Sequence, residues 1–389
     1  MPEAKTYRFL ADILNDTAIV LDTLSPFLAS LPLLISLPEV IPIPFRVYTL
    51  CLSSSLRALC GISAGGSKTA ISLHFATPLE GTGNIGDLNA KDSSKETVLG
   101  LVGMLLGTVV VPYLTTPFST YSTLFLLVGL HLGFNFAAVR GVKLRTLNRQ
   151  RTSLAWCGYQ GSVDNGNAQA PSPSEIAGIE SIFHEPSTLR DDSGNLLGHC
   201  TIGSSIGVIL SKSSTSLVSS TVLDALKDER YILWFDPGCL SSLSTAGSIV
   251  SSTPRLHIFL RDGHRPSDHL KAWIHATEVA RLVRRELLAQ RRRLASHVDD
   301  ALHNTSGNLE LDLNSKTLDP TNVIVGAYEV VGRELPSFTD AMIQATWTFS
   351  NVDGSKELDV ALMTGPPITV ITQVIEDVGA PHEESRKER

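Results

Sequence analysis

Charge is what this 389-residue sequence has least of. Asp, Glu, Lys and Arg make up 18% of it, against about 25% in ordinary soluble domains. Apolar residues reach 43%, so the chain is not intrinsically disordered, a state that needs high charge and few apolar residues. A net charge of −7 and a pI near 5.9 argue against a basic nucleic-acid binder on bulk charge. Cysteine is also scarce. Cys51, Cys60, Cys157, Cys200 and Cys239 are odd in number, widely spaced and form no CxxC. That excludes a disulfide framework or a zinc ribbon and fits free thiols in a reducing compartment. No metal and no cofactor is expected. The opening MPEAKTYRFLADILNDTAIVLD carries acids throughout and no signal-peptide pattern, so an intracellular location is expected.

The shortage of charge is uneven. Residues 1–139 hold 16 charged side chains and the remaining 250 residues hold 55. From Thr97 to Val139 there are 43 residues without one Asp, Glu, Lys or Arg. Pro112, Pro117 and several hydroxyls divide the run into two apolar arms, 97–114 and 119–139. Each is close to the ~20 residues that cross ~30 Å of hydrocarbon, which predicts a membrane hairpin. Gly100, Gly103 and Gly107 share a face of the first arm, and Gly129 and Gly133 a face of the second. Such small-xxx-small spacing lets helix backbones approach closely, so these five are predicted to pack helices together. Lys91 and Lys95 precede the run. Arg140, Lys143, Arg145, Arg149 and Arg151 follow it, and the turn between the arms is uncharged. The positive-inside rule places both ends in the cytosol, with the five-residue basic cluster at anionic headgroups. His131 is the one group in the run that titrates near neutrality. An ionisable residue at membrane depth is a functional candidate, although a neutral histidine bonded to a neighbouring helix accounts for it equally well.

Around the hairpin, residues 5–23 show helical apolar spacing through Phe9, Leu10, Ile13, Ile19 and Val20. Residues 26–45 are apolar but carry five prolines, which break a straight helix. Residues 45–76 read as helix with interruptions. Residues 77–97 read as a polar loop, with Ser93 or Ser94 capping a helix that has Glu96 in its first turn. Lys68, Asp87, Lys91 and Asp92, with His131, are the candidate ligand-binding residues, as a polar entry to a membrane site. Residues 156–172 read as a Gly/Asn/Ser/Pro linker. Over 173–300 strands and helices alternate: strands at 206–210, 231–235 and 256–260, and the best soluble helix at 266–298. Residues 301–389 read as a partly irregular extension, with strand-like 322–331 and 368–375. The fold class is an α-helical membrane domain, 5–155, plus a small α/β (α+β) soluble domain.

Three motifs look like chemistry and fail on context. Gly61-Ile-Ser-Ala-Gly65 matches the nucleophile elbow, but no buried strand precedes it and no oxyanion segment is evident. Gly61-x4-Gly66-Ser67-Lys68-Thr69 resembles a P-loop, yet Ser67 separates the last glycine from the lysine that must reach the phosphates. His257, His264, His269 and His275 lack the i, i+4 spacing of a helical metal site. No catalytic residue is assigned.

Several blocks carry a family resemblance. LSSSLRALCGISAGGSKTAISLHFA, then GNIGDLNAKDSSKETV at Gly83–Val98, then LRTLNRQR at Leu144–Arg151 resemble the root UVB sensitive (RUS) family. The likeness covers residues 8–155 well and continues weakly through YILWF, LHIFLRDG and LKAWIHA. The resemblance implies a membrane-associated protein; plant members are tied to root ultraviolet-B sensing and early seedling development, and the family offers no catalytic residues to carry over. The function expected is a non-enzymatic, multi-pass membrane adaptor or scaffold with a cytosolic soluble domain. The alternative is a transporter or small-ligand-binding membrane protein with its site near Asp87–Glu96. The expected partners are the lipid bilayer and another RUS-family protein or a second copy of the chain, with no nucleic acid.

Overall fold

The computed structural model describes residues 3–28, 45–77, 83–204, 220–236, 253–303, 319–352 and 354–363. Most of the proline-rich segment 26–45, the strands expected at 206–210 and 368–375, and the serine-rich stretch between 211 and 219 lie outside these. The chain divides into two compact units at Arg145/Thr146.

The first unit is helical: α1 (Ala4–Leu28), α2 (Phe45–Ala76), α3 (Ile85–Val110) continued by a 3-10 turn (Val111–Tyr113), and α4 (Pro117–Gly141). α1 packs along α2, α4 meets α1, and α3 meets α2. The described residues that α2 buries are Thr49, Ser53, Ser63 and Ser67. Short side chains allow a close seam, and each hydroxyl needs an acceptor once away from water. Ser53 donates across the seam to the Ala18 carbonyl at 3.2 Å. Thr49 and Ser67 bond back to the carbonyls of Phe45 and Ser63, as hydroxyls within helices do. The interruptions expected in 45–76 are absent, since α2 is continuous. α3 begins earlier than expected. Its N-cap is Asn84, whose side chain accepts from the Gly86 and Asp87 amides, and not Ser93 or Ser94. Asp87, rather than Glu96, stands in the first turn. α4 opens on a capping box between Thr116 and Ser119 with Pro117 at the first helical position, where its missing N–H costs nothing.

The second unit is α+β. In order it has α5 (Arg149–Asp164), α6 (Pro173–Ile179), β1 (Thr188–Arg190), β2 (Leu196–Ile202), α7 (Ser220–Ala225), β3 (Tyr231–Phe235), β4 (Arg255–Leu260), α8 (Pro266–His303), α9 (Pro320–Gln344), β5 (Phe349–Val352) and β6 (Ser355–Leu358). The larger sheet runs β1-β2-β4-β3, with β2 and β4 parallel and the outer pairs antiparallel. β5 and β6 form a hairpin. α8 crosses the sheet, and α5 and α9 pack on α8. Every residue of β3 is buried, as its unbroken apolar run requires.

The core gathers Trp156, Tyr159, Trp273 and Phe338, with Phe338 edge-on to both Trp156 and Tyr159. Both indole N–H groups find acceptors, as buried tryptophans must. Trp273 Nε1 donates to the Arg149 carbonyl and to Ser153 Oγ, and Trp156 Nε1 to Glu278 Oε2 at 2.8 Å. Buried Glu278 also takes both arms of the Arg281 guanidinium at 2.9 Å. His275 is pinned between β3 and α9. Its Nε2–H donates to the Ile324 carbonyl at 2.9 Å, which leaves Nδ1 to accept from the Tyr231 hydroxyl at 3.1 Å.

Here the structure differs from the sequence reading in several places. Residues 156–164, read as the start of a linker, complete α5 and carry buried Trp156 and Tyr159. Residues 322–331, read as strand-like, lie in α9, capped by Asp319 with Pro320 at its first position. The β-branched run NVIV suggested a strand, but Ile324, Ala327, Val331 and Phe338 recur at helical spacing and are the residues buried. The stretch 301–389 is thus not a mere extension: α9 and Trp347 belong to the core.

Burial pushes His275, His184 and His269 each down to about 4. They stay neutral in the folded state where unfolded histidines, with pKa near 6.5, take up protons. The unfolded chain then binds more protons, so stability is full above about pH 6.5 and falls as pH drops toward 4. For fully buried His275 the loss between pH 7 and pH 5 is about 2 kcal/mol. Denaturant unfolding at these two pH values is expected to show the lower stability at pH 5, with a shallower dependence in His269→Gln.

Candidate functional site

The sequence places its candidate ligand group at Lys68, Asp87, Lys91, Asp92 and His131. The structure divides them. On α2, Lys68 Nζ lies 2.8 Å from Glu96 Oε1 and 3.1 Å from Asp92 Oδ2 of α3. All three side chains are exposed, so the arrangement clasps α2 to α3 at an open surface. Asp87 and Lys91 pair with each other at 2.7 Å, one turn apart on α3, and are likewise exposed. These four stand at an exposed surface, and their charges are already matched.

His131 is elsewhere, on α4, where Nδ1–H donates to Asp16 Oδ2 of α1 at 2.8 Å. The Asp16 side chain is 6% exposed and that of His131 is 45%. Phe9 and Phe136 meet edge-on at 5.4 Å, also between α1 and α4. This hydrogen bond ties the second apolar arm to α1. Asp16 could have been anticipated from the helical stripe of α1, because aspartate one turn from apolar Ile13 and Val20 faces the same neighbours. Asp16 is the partner that sequence reasoning missed; Glu96 closes the Asp87–Glu96 stretch it had named.

The five glycines pack nothing. A Cβ added at Gly100, Gly103, Gly107, Gly129 or Gly133 would meet no atom within 4 Å. The two arms do not bring these faces together; α3 lies on α2 and α4 on α1. The expectation of helix packing at these positions is thus corrected for the described residues.

The basic cluster also separates. Arg140 and Lys143 are exposed. Arg145 donates to the His74 and Thr77 carbonyls at the C-terminal end of α2, where a cation suits the helix dipole. Arg149 and Arg151 belong to the second unit. Arg149 Nε donates to the Leu362 carbonyl at 2.6 Å and its guanidinium lies over the Trp273 ring. Arg151 is buried, paired with Glu180 at 2.7 Å. A headgroup-facing role is closed to Arg151 because removing its guanidinium from Glu180 would strand a buried carboxylate.

The three chemical motifs have structural places. Gly61–Gly65 and the P-loop-like stretch lie within α2, so neither forms a strand-to-helix turn. His264 Nδ1 and His269 Nε2 lie 2.6 Å apart, while His257 bonds Thr201 and His275 sits in the core. Among the described residues no three metal-binding side chains converge. Cys157 and Cys200 are buried, which pushes both thiols up, away from thiolate reactivity.

What the first unit does present is apolar surface. Three helical segments are long and apolar enough to cross a membrane: Phe45–Ala76, Ile85–Tyr113 and Pro117–Gly141. α2 is one more than the hairpin read from sequence, missed because Arg57 and Lys68 interrupt it. α3 buries no residue. Leu99, Met104 and Val111 are 64–72% exposed.

Comparisons with known proteins bear on this surface. Residues 1–162 match the Vitamin B6 photo-protection and homoeostasis domain. The chain is 32% identical to RUS family member 1 of Dictyostelium discoideum over 189 residues, which is 46% of this chain and 31% of that protein. It is 25% identical to Protein root UVB sensitive 3 of Arabidopsis thaliana over 306 residues, 77% of this chain and 61% of that protein. The chain thus spans less than two thirds of either relative. No solved structure matches.

Two substitutions separate the two clasps. His131→Leu leaves the buried Asp16 carboxylate without its donor, a loss of about 1–3 kcal/mol or more. Lys68→Met removes an exposed, salt-screened pair worth about 0–1 kcal/mol. Thermal unfolding of the detergent-purified chain is expected to drop by several degrees for His131→Leu and to stay nearly unchanged for Lys68→Met.

Proposed function

From a chain that carries the RUS-family domain over residues 1–162, we propose an integral membrane adaptor, non-enzymatic, that serves vitamin B6 homoeostasis. α2, α3 and α4 cross the bilayer, and the α+β unit that follows Arg145 stands in the cytosol. The observation that carries this reading is α3, a 26-residue helix with no buried residue. Lipid is the solvent that such a surface fits. A patch this large on a soluble monomer would mark an interaction surface. The orientation rests on charge. Lys91 and Lys95 flank one end of the hairpin, Arg140 and Lys143 the other, and the Leu114–Thr116 turn has none.

The transporter alternative is less well supported. Asp87, Lys91, Asp92 and Lys68 sit in the open, paired among themselves. A transport site would gather unpaired polar groups at a helix break near the midplane. The vitamin B6 connection comes from the family's description, and an adaptor meets it by holding other proteins at the membrane.

Protease protection tests the arrangement. In sealed vesicles with the cytosolic face outward, an epitope inserted at Thr115 stays protected while the unit after Thr146 is digested. Digestion at Thr115 in intact vesicles would contradict the orientation. Asp87→Asn with Lys91→Gln is expected to leave protein level and cellular vitamin B6 content unchanged; lost vitamin B6 balance at normal protein level would favour the ligand-binding alternative.

A further inference from the structure

The α+β unit contains an open cleft of about 450 Å³. Its walls are the second half of α5, the turn between β1 and β2, and one face of α8. Arg281, Arg284, Arg285 and Arg292 reach it from α8, and Asp191 and Asp192 from the turn. The volume suits a small ligand, since such sites span about 300–1,000 Å³.

The arginines are not equivalent. Arg281 is satisfied by the protein: Glu278 takes it with two bonds and Asp164 stands 3.5 Å away. Arg284 gives one bond, to the Leu196 carbonyl at 3.0 Å, and keeps donors to spare. Arg285 and Arg292 are exposed, and among the described residues neither has a bonded or ion-paired partner. They are seven residues apart, two turns of one helix face, about 10 Å along the axis. Two uncommitted guanidiniums on the same wall, with a third partly free between the fixed one and them, form a fork set suited to phosphate oxygens.

The opposite wall has the opposite character. Asp191 is occupied in holding its own turn, accepting from the amides of Ser193 and Asn195. Asp192 is exposed and adds negative charge to the same cleft. An anion entering here is drawn toward α8 and repelled by the turn. A group bearing N–H or O–H donors is favoured at the turn. Leu197 and Leu288 supply apolar surface between the walls. Cys157 lines the floor as a protonated thiol, so the cleft reads as a binding place and not a redox centre.

We propose that this cleft binds a small phosphate ester that also carries an amine, with its phosphate on Arg284, Arg285 and Arg292 and its amine toward Asp192. The same chemistry occurs in a soluble phosphoamine and in an amine-bearing phospholipid headgroup. The cleft lies within one unit, so the inference stands independently of the membrane reading.

Equilibrium dialysis of the detergent-purified full chain with O-phosphoethanolamine tests it, with ethanolamine as the phosphate-free control. Wild type is expected to retain the phosphoamine and not ethanolamine. Arg285→Gln with Arg292→Gln is expected to weaken retention at least tenfold, while Arg333→Gln, on α9, leaves it unchanged. Both arginines of the double variant are exposed, and an unchanged unfolding midpoint checks the fold. Asp192→Asn serves as a second, independent variant: it is expected to strengthen binding of inorganic phosphate and to lessen the advantage of phosphoethanolamine over it. Competition by a short-chain phosphatidylethanolamine assigns the headgroup as source, and lack of competition assigns the soluble ester. Equal retention by wild type and the double variant, or no retention by wild type, overturns the proposal.

Discussion

A long apolar helix that buries none of its residues in the protein calls for a covering from outside it. α3 is in that position: its caps and hydrogen bonds are in order, yet it buries none of its residues. Burying a Val, Leu or Met side chain fully is worth about 1.5–3 kcal/mol. The side chains between Val98 and Val111 that remain half or more exposed therefore forgo a sum that rivals the ~5–15 kcal/mol net stability of a whole domain. A surface of that cost calls for a covering other than water, and the proposed one is lipid. Two other features of the first unit are consistent with that proposal. α2 buries small hydroxyl residues against its neighbours, and close packing with satisfied polar groups is the cohesion that helices in lipid rely on. Asp16 and His131 are bonded to each other, as ionisable groups at membrane depth need to be.

The second unit has a different interior. Its sheet and three helices bury a conventional aromatic core, and several polar residues within that core are paired. Glu278 is the clearest instance. It receives an indole N–H from α5 and both arms of Arg281, so one buried carboxylate fixes α5 against α8 and sets Arg281 in place. That fixed arginine marks the start of the α8 face along which Arg285 and Arg292 are carried. The same helix thus supplies core contacts in its first half and an uncommitted basic ridge in its second.

The sequence made some of this legible and not the rest, for identifiable reasons. The apolar arms were visible because 43 residues without charge have few other readings. β3, β4 and α8 were visible because their periodicity is clean over their whole length. α9 was not, since the β-branched run at Asn322–Val325 outweighed the capping signal of Asp319-Pro320 that the structure uses. α5 was not, since its glycines, Gly158 and Gly161, read as linker while Trp156 and Tyr159 between and before them are core. At the candidate site, charge identity was legible but pairing was not. Lys68 and Glu96 are 28 residues apart, and Asp16 and His131 are 115 apart. Nothing local specifies such partners. The glycine faces were misread because spacing alone does not say which helix lies opposite. The RUS resemblance over the first part of the chain was legible in its motifs, and the comparisons agree with it over residues 1–162.

The central claim is that the first unit is solvated by lipid. Alkaline carbonate extraction of membranes from cells expressing the full chain tests it most directly, because high pH strips peripheral proteins and leaves spanning helices in the bilayer. The account predicts that the chain stays in the membrane pellet and leaves it only with detergent. Release of the chain into the carbonate supernatant, with a known spanning protein retained in the same pellet, would contradict it.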